Sequence, residues 1–472
     1  GYEFCTKVQA QSLPACLSDS DVMAKAKTGT GKTVAFMIPV IEKLSRNPIP
    51  RGQVGAIVLS PTRELAMQIY TECNKLLKFH NLSCLALVGG TNINSEKNKL
   101  KSNPEILIAT PGRLLDHLKT SGLEAKSKDL RIFVADEADS LLDMGFRPSL
   151  EKIFALLPSR QKRQTLLFSA TFPQDVKSLA DFALKSPYEM VDCVGKETGT
   201  NVQVTQFQAV VPHNRIITTL YCAMKDHIKE VPDAKIIVFF PTARGTQVMS
   251  EIFNAGGMPV LEMHSRKSQG ARTRTSDSFR NTSGVIMFSS DVSARGVDYP
   301  DVSMVIQVGL PSEKAQYVHR VGRTARAGKA GTSLLLLADF EGDFIRKLSD
   351  LPVKPLPPHS AAAMKAASDV INSGLTRVSS DTKGKAYAGW LGFYRSTSPV
   401  SKLPKHELVA LGNEYASILG CPEPPELSAM AVGKMGLKGV PGLNVKKGPS
   451  EQGRGGGGGG RGGGGGGRGS RY

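Results

Sequence analysis

The sequence predicts an α/β protein built on two parallel sheets in tandem. Short apolar, strand-like runs alternate with amphipathic stretches through two successive segments, the βαβ pattern of parallel sheets covered by helices on both faces. Polar clusters follow several of these runs directly, which is where open parallel sheets bind ligands. In the first segment the runs are residues 56–59, 83–88, 106–109, 132–134 and 165–168. In the second they are residues 236–239, 259–262, 284–288, 304–308 and 332–337. The clusters are Pro61-Thr-Arg-Glu64, Thr110-Pro-Gly-Arg113, Asp136-Glu-Ala-Asp139 and Ser169-Ala-Thr171. A polar Gly/Thr-rich stretch at 194–201 reads as a linker. The expected organisation is a first α/β domain over 1–195 and a second over 196–345, whose sheet ends near Phe344. A Pro-rich connector at 351–358 leads into a basic, mainly helical extension over 346–445. Residues 446–472 form a tail that is almost only Gly and Arg from Gly453, which cannot bury a core and is expected to be disordered.

At 472 residues the chain is too long for one core. No apolar run approaches the ~20 residues that span a bilayer, and no membrane partner is expected. The longest, at 235–240 and 333–338, fit buried parallel strands. The net charge is +18, which points to a polyanion, with nucleic acid first. Residues 346–450 hold fourteen Lys/Arg against seven Asp/Glu, and residues 451–472 hold four Arg against one Glu. A basic surface is therefore appended to the core. Seven scattered cysteines show no zinc spacing and read as reduced intracellular thiols. The chain opens inside a motif, so an upstream segment is expected and no targeting peptide can be read.

Two features carry chemistry. Ala26-Lys27-Thr28-Gly29-Thr30-Gly31-Lys32-Thr33 is a phosphate-binding loop: its glycines let backbone N–H groups close on phosphate oxygens. Lys32 supplies a point charge and Thr33 a hydroxyl for Mg²⁺. The residues after it continue as a helix start, whose N-terminus favours anions. The loop pattern has Gly first where this chain has Ala26, a departure that leaves the last four residues intact. The second feature is Asp136-Glu137, two carboxylates at the end of an apolar run. Beside a phosphate loop, Asp136 is placed for Mg²⁺ and Glu137 for the attacking water. The second sheet lacks such a loop and has Tyr317-Val-His-Arg-Val-Gly-Arg-Thr-Ala-Arg326. Arg323 and Arg326, three apart, are expected on one face of a helix, where guanidinium groups can stabilise charge on a transferring phosphoryl group.

Over residues 1 to about 345 the sequence resembles the DEAD-box family of superfamily 2 RNA helicases. Thr6-Lys-Val-Gln9 is similar to the end of the Q motif, and 26–33 to motif I. Pro61-Thr-Arg-Glu-Leu65, Gly89-Gly90 and Thr110-Pro-Gly-Arg113 follow, then Asp136–Asp139 as motif II and Ser169-Ala-Thr171 as motif III. Ile237-Val-Phe-Phe-Pro-Thr242, Ser290-Asp-Val-Ser-Ala-Arg-Gly-Val-Asp298 and His319 to Arg326 resemble motifs IV, V and VI. So many motifs in order exclude chance.

The resemblance implies two RecA-like domains and an ATP- and Mg²⁺-dependent enzyme that hydrolyses ATP when RNA is bound. Gln9 would read adenine, and Gly296 and Asp298 would meet the nucleotide, Asp298 at the ribose. Lys32 and Thr33 would hold phosphates and metal, Asp136 would hold Mg²⁺ partly through water, and Glu137 would be the general base. Arg323 and Arg326 would act as fingers, and His319, Ser169 and Thr171 would couple nucleotide to RNA. RNA contacts would come from Pro61, Thr62, Arg63, Gly90, Thr110, Gly112 and Arg113, and from Thr242, His264, Arg266 and Ser290. Such hydroxyls, glycine amides and arginines suit a sugar–phosphate backbone read without sequence.

Two departures stand out: Met263-His-Ser-Arg-Lys-Ser-Gln269 where many relatives have Leu-His-Gly, and Ser290-Asp where Thr-Asp is usual. The Ser265-Arg-Lys-Ser268 variant, Arg295-Gly-Val-Asp-Tyr-Pro300 and the ending Lys434-Met-Gly-Leu-Lys438 and Pro441-Gly-Leu443 resemble an organellar subgroup of RNA-chaperone helicases, fungal mitochondrial and plant. That resemblance implies a mitochondrion or other organelle, with nucleus, nucleolus or cytoplasm as alternatives, and a monomer that separates short duplexes. An ATP-gated RNA clamp and a DNA helicase are the competing readings. His80, His117, His213, His227, His359 and His406 are expected on surfaces or helix ends. Trp390 is expected in the core of the extension rather than stacked on a base.

Overall fold

The computed structural model describes residues 3–27, 29–195, 203–291, 299–326 and 329–446. Two seven-stranded, all-parallel sheets organise the chain. The first comprises β1 (Val22–Lys25), β2 (Ala56–Leu59), β3 (Cys84–Leu87), β4 (Ile106–Ala109), β5 (Ile132–Ala135), β6 (Gln164–Ser169) and β7 (Glu189–Asp192), in the order β3-β4-β2-β5-β6-β1-β7. The second comprises β8 (Val204–Val211), β9 (Lys235–Phe239), β10 (Leu261–Met263), β11 (Ile286–Ser289), β12 (Val302–Val308), β13 (Gly331–Ala338) and β14 (Val353–Pro355), in the order β10-β11-β9-β12-β13-β8-β14. These are the two RecA-like units expected from the sequence. Helices cover both faces, so central strands such as β2, β4, β5 and β9 are buried throughout and read as unbroken apolar runs.

Four strands escape the sequence pattern. β1 carries only three apolar residues in a row, Val22-Met-Ala24, and β7 is a mostly exposed edge. β8 mixes Thr and Gln with Val and Phe, because only one neighbour, β13, covers its full length. β14 lies inside the Pro-rich connector and pairs with β8, so the second sheet runs past Phe344. Proline is tolerated there because the strand is an edge.

The extension is helical, as its composition suggests: Ala361–Leu375, Ser380–Ser396, Lys405–Ile418 and Ala429–Lys434. Ser360, Ser379 and Ser428 cap three of these helices by accepting the backbone N–H three residues on. The extension is not a separate body. Ile371, Tyr387, Trp390, Leu391 and Tyr415 share one hydrophobic core with Leu334–Leu337 of β13. Each fully buried side chain of this size contributes about 1.5–3 kcal/mol, which ties the extension to the second unit. Trp390 is a core residue, stacked near Tyr415 and His213.

Three of the histidines expected on surfaces or at helix ends do lie at helix ends, but they are buried. His117 bonds Ser121 and Glu96, His213 sits among Phe340, Trp390 and Tyr415, and His227 bonds Ser303. Each is amphipathic enough to enter a core once a polar partner is supplied.

Candidate ATP site and nucleic-acid groove

The phosphate loop joins β1 to the helix Lys32–Arg46, so its amides and the helix N-terminus face the cleft. Gly29 and Gly31 take left-handed backbone angles, φ +75° and +94°. A side chain at Gly31 would also collide with Gln9, whose Nε2 donates to the Gly31 carbonyl at 3.2 Å. Gln9 Oε1 accepts the Thr6 N–H in a capping box, so this residue anchors the loop to the first helix. Ala26 N–H donates to the Ser169 carbonyl, linking the loop to β6. Thr30 Oγ1 donates to the Lys27 carbonyl, and Thr33 is part-exposed at the start of the helix. Thr28, Gly296 and Asp298 lie outside the described residues.

Lys32 is buried, with Nζ 2.7 Å from Glu137 Oε1 and 3.3 Å from the Ala26 carbonyl. Burial alone would lower the Lys32 amine, but Glu137 and Asp136 outweigh it and the net shift is upward. Burial would likewise raise Glu137; Lys32 overcomes that and holds its carboxyl below the usual range. Asp136 behaves oppositely: burial pushes it up to about 7, with Glu137 adding to the rise and Lys32 opposing it. Glu137 has φ +53°, strained for a side-chain-bearing residue, and its Oε2 is buried without a hydrogen-bond partner among the described residues. Among these residues no group of three or more His, Cys, Asp or Glu is arranged to hold a metal. A Mg²⁺ that keeps its waters and leans on substrate phosphates needs none. The Thr33 hydroxyl and the crowded Asp136 carboxylate fit such an ion: hard oxygen donors, and an anion whose burial a cation would offset.

Asp139, given no separate role by the sequence, is the hub between segments. Its Oδ2 accepts both the N–H and the hydroxyl of Thr171, at 3.1 and 2.8 Å, and its N–H donates to Ser169 Oγ. His319 Nε2, from the second unit, stands 3.4 Å from the same Oδ2, close enough for attraction but not aligned as a hydrogen bond. Arg326 lies directly over the loop: a Cβ on Gly29 would come 3.3 Å from its Nε. Arg323 and Arg326 do not share a helix face. The helix Lys314–Val321 ends before them, and they sit in the turn that follows, where Ala325 takes φ +53°. Arg323 Nε donates to the His319 carbonyl and Arg326 Nε to the Gly322 carbonyl.

The same cleft holds a groove of about 830 Å³ between the units. The first unit lines it with Pro61, Thr62, Arg63, Gly90, Thr110, Gly112 and Arg113, and the second with Pro241, Ser265, Ser290 and Gln316 among others. Helices beginning at Arg63, Pro111 and Ala243 point their N-termini at it. Thr62 and Thr242 cap two of them, accepting from Leu65 and Gly245 N–H, and Thr110 Oγ1 accepts from Gly89 N–H. Such a surface suits a phosphate backbone. Two expected contacts are otherwise engaged. The Arg113 guanidinium is committed to Glu96 and the Thr91 carbonyl, at 2.6 and 2.9 Å. His264 is buried, its Nε2 2.6 Å from Glu262 and its Nδ1 accepting the Arg266 N–H, so it shapes the loop that presents Ser265. Arg266 is exposed and is not among the groove-lining residues.

Sequence reasoning missed the bonds that close the cleft. Arg272 Nη2 lies 2.5 Å from Glu64 Oε2, Arg63 Nη1 donates to Gln269 Oε1 at 3.2 Å, and Gln269 Nε2 to Glu64 Oε1 at 3.3 Å. Glu64 stands within a recognised motif, but nothing local marks its partner.

Comparison with known proteins agrees with this architecture. Residues 6–179 match the DEAD/DEAH box helicase family and residues 216–328 the helicase conserved C-terminal domain. The chain is 46% identical over 452 residues to DEAD-box ATP-dependent RNA helicase 26 of Oryza sativa subsp. japonica, covering 94% of this chain and 82% of that protein. It is 44% identical over 457 residues to DEAD-box ATP-dependent RNA helicase 31 of Arabidopsis thaliana, covering 94% of this chain and 63% of that one. The structure of Mss116p bound to single-stranded RNA and AMP-PNP superposes with a TM-score of 0.83 at 31% identity, over 94% of this chain and 92% of that one. Tandem RecA-like units, a phosphate loop faced by arginines from the second unit, and these relatives agree: the chain belongs to the DEAD-box family of ATP-dependent RNA helicases.

Proposed function

We propose that this helicase is an RNA chaperone that separates short duplexes by closing its two units on one strand, without long translocation. One observation carries the reading: the contacts that place Arg326 over Gly29 and His319 beside Asp139 join the same two units that wall the groove. Whatever closes the groove therefore also completes the ATP site, and the coupling is reciprocal. Mss116p, whose fold this chain shares, is described with single-stranded RNA and AMP-PNP together, which supports RNA in the groove and ATP at the loop.

In the proposed mechanism ATP phosphates enter beneath the loop amides and compete with Glu137 for Lys32. Glu137 Oε2 then accepts the proton of the attacking water, whose oxygen bonds the γ-phosphorus as the bond to the β-phosphate oxygen breaks. Arg323 and Arg326 stabilise the charge on the transferring group. Thr33 and Asp136 would hold Mg²⁺, which neutralises and orients the phosphates. Gln9 ties the adenine side of the site to the loop. Ser169, Thr171 and His319 report on the nucleotide through Asp139. A location in a mitochondrion or another organelle is part of the reading, supported by the subgroup resemblance of residues 265–268, 295–300 and 434–443, and the protein is taken to act as a monomer.

The test is multiple-turnover ATP hydrolysis and short-duplex separation, with RNA and with DNA. RNA should stimulate hydrolysis and DNA should not. Glu137→Gln should abolish turnover and keep ATP-dependent RNA binding. Strong RNA binding with negligible turnover in the native protein would identify a clamp instead.

A further inference from the structure

The turn that brings Gly89 and Gly90 into the groove is held from beneath by a carboxylate outside the cleft. Glu96, on the helix Ile93–Lys99, is buried. Its Oε1 accepts from the Val88 N–H at 3.2 Å and the Thr91 hydroxyl at 2.5 Å, the residues flanking the two glycines. Its Oε2 accepts from Arg113 Nη1 at 2.6 Å and lies 2.8 Å from Nε2 of the fully buried His117. An ionised carboxylate only accepts, so Nε2–H is the donor, and Nδ1 lies 2.9 Å from the Ser121 hydroxyl. Burial pushes the Glu96 carboxyl up, but bonds from His117, Thr91 and Arg113 hold it below the usual range.

On its other side the turn meets Arg63. A Cβ on Gly90 would come 2.2 Å from Arg63 Nη1, the nitrogen that also donates to Gln269 of the second unit. Gly90 takes φ +83°, and a Gly-Gly turn is conformationally loose by itself. Something must fix it before binding if its amides are to gain affinity rather than lose entropy.

We infer that Glu96 and His117 are positioning residues for RNA. Acting through the turn 88–91, they preset the glycine amides and Arg63, and so set RNA affinity while touching neither RNA nor ATP. The inference rests on the reading of the groove as the RNA site.

The test uses the full chain, a fluorescein-labelled single-stranded oligoribonucleotide with AMP-PNP, and steady-state ATPase. Glu96→Gln should raise the RNA dissociation constant about tenfold, as loss of a buried charge-assisted bond predicts. His117→Leu should raise it a few-fold, and His117→Gln, which keeps a donor near Nε2, should restore it. The Glu96→Gln/His117→Leu pair should be no weaker than Glu96→Gln alone, because the two act as one unit. Turnover at saturating RNA and half-saturation by ATP should shift less than about twofold, since neither residue reaches the nucleotide. Unchanged RNA affinity in a Glu96→Gln protein that melts normally would overturn the inference, as would equal losses in ATP half-saturation and turnover. If Glu96→Gln fails to fold, the contrast between His117→Leu and His117→Gln decides: identical RNA affinities would overturn it. Arg63→Ala separates the two readings. If it leaves RNA affinity intact, the groove reading falls; if it weakens binding while the Glu96 and His117 variants do not, only this inference falls.

Discussion

Arg272 and Glu64 form a buried ion pair across the cleft, with Nη2 2.5 Å from Oε2. It exists only when the units are closed, because Glu64 belongs to the helix Arg63–Leu76 and Arg272 to the helix Gln269–Asn281. Desolvating both charges consumes most of their attraction, so the intact pair sets the register of closure more than its strength. Removing one partner differs: an unpaired buried charge costs about 3–5 kcal/mol, and the units can escape it by opening. Arg272→Met should therefore weaken AMP-PNP-dependent RNA binding on the order of a hundredfold, with little change in thermal midpoint, since the open state pays nothing. Adding Glu64→Gln to Arg272→Met should recover part of the loss. Fluorescence anisotropy of labelled RNA measures both, and multiplicative losses in the double variant would contradict the latch.

That pair also shows what a sequence conceals. Its partners are 208 residues apart, and neither segment carries a pattern naming the other. The phosphate loop and Asp136-Glu137 were legible because phosphate and metal chemistry demand those residues at fixed spacing, and Ser169-Ala-Thr171 because it is a polar cluster directly after an apolar run and matches a family motif. Central strands such as β4 and β9 were legible because burial on both faces leaves an unbroken apolar run. Strand β1 was not: its apolar run is only Val22-Met-Ala24 between Asp21 and Lys25, and its neighbours β6 and β7 come from far along the chain. His117 lies at a helix end as expected, but its burial was not legible, because the carboxylate that compensates it lies 21 residues upstream. Arg323 and Arg326 looked helical by spacing, but Gly322 ends the helix before them.

Thr171 makes two of the bonds that hold Asp139, one through its hydroxyl. Thr171→Val keeps the shape and the backbone N–H and removes only that hydroxyl. Asp139 would then be less firmly set against His319, while Lys32, Glu137 and the phosphate loop stay untouched. The ATP half-saturation constant should hold within about twofold, whereas duplexes separated per ATP hydrolysed should fall about tenfold, the size of one charge-assisted hydrogen bond. Parallel ATPase and strand-separation assays read the ratio. An unchanged ratio would remove Asp139 from the coupling path.

At Gly374 the extension packs directly against the backbone of the second unit. A Cβ there would lie 2.3 Å from the Ile252 carbonyl oxygen and 3.2 Å from Gly256 N, both backbone atoms that cannot swing aside. Gly374→Ala should force the helices Ala361–Leu375 and Ala243–Ala255 apart. Overpacking of this kind costs about 1–3 kcal/mol, even though alanine is the better helix former by about 1 kcal/mol. The melting temperature should fall by a few degrees. Differential scanning calorimetry would show it, and a rise in midpoint would mean the interface gives way freely.

Glu341 supplies a pH dependence with a defined sign. It is buried, accepts from the Leu310 and Ala338 N–H groups at 3.0 and 2.8 Å, and takes the hydroxyl of Tyr394 from the extension. Burial nevertheless pushes its carboxyl from 4.5 up to about 7, against the pull of those bonds. Below the lower value the group is protonated folded and unfolded, and no penalty arises. Between the two values the unfolded chain ionises while the folded one holds its proton, so stability falls as pH rises, and it levels off above the folded value. The loss is on the order of 3 kcal/mol across that window. Glu341→Gln cannot ionise, so its melting midpoint should lack this slope, although its amide hydrogens would meet the donors that now face the carboxylate. The wild-type midpoint minus that of Glu341→Gln, followed from pH 5 to pH 8, should therefore decline up to about pH 7 and then level off. A difference that stays constant over that range would show that Glu341 is ionised in the folded protein and that its bonds to Tyr394 and the two backbone amides outweigh its burial.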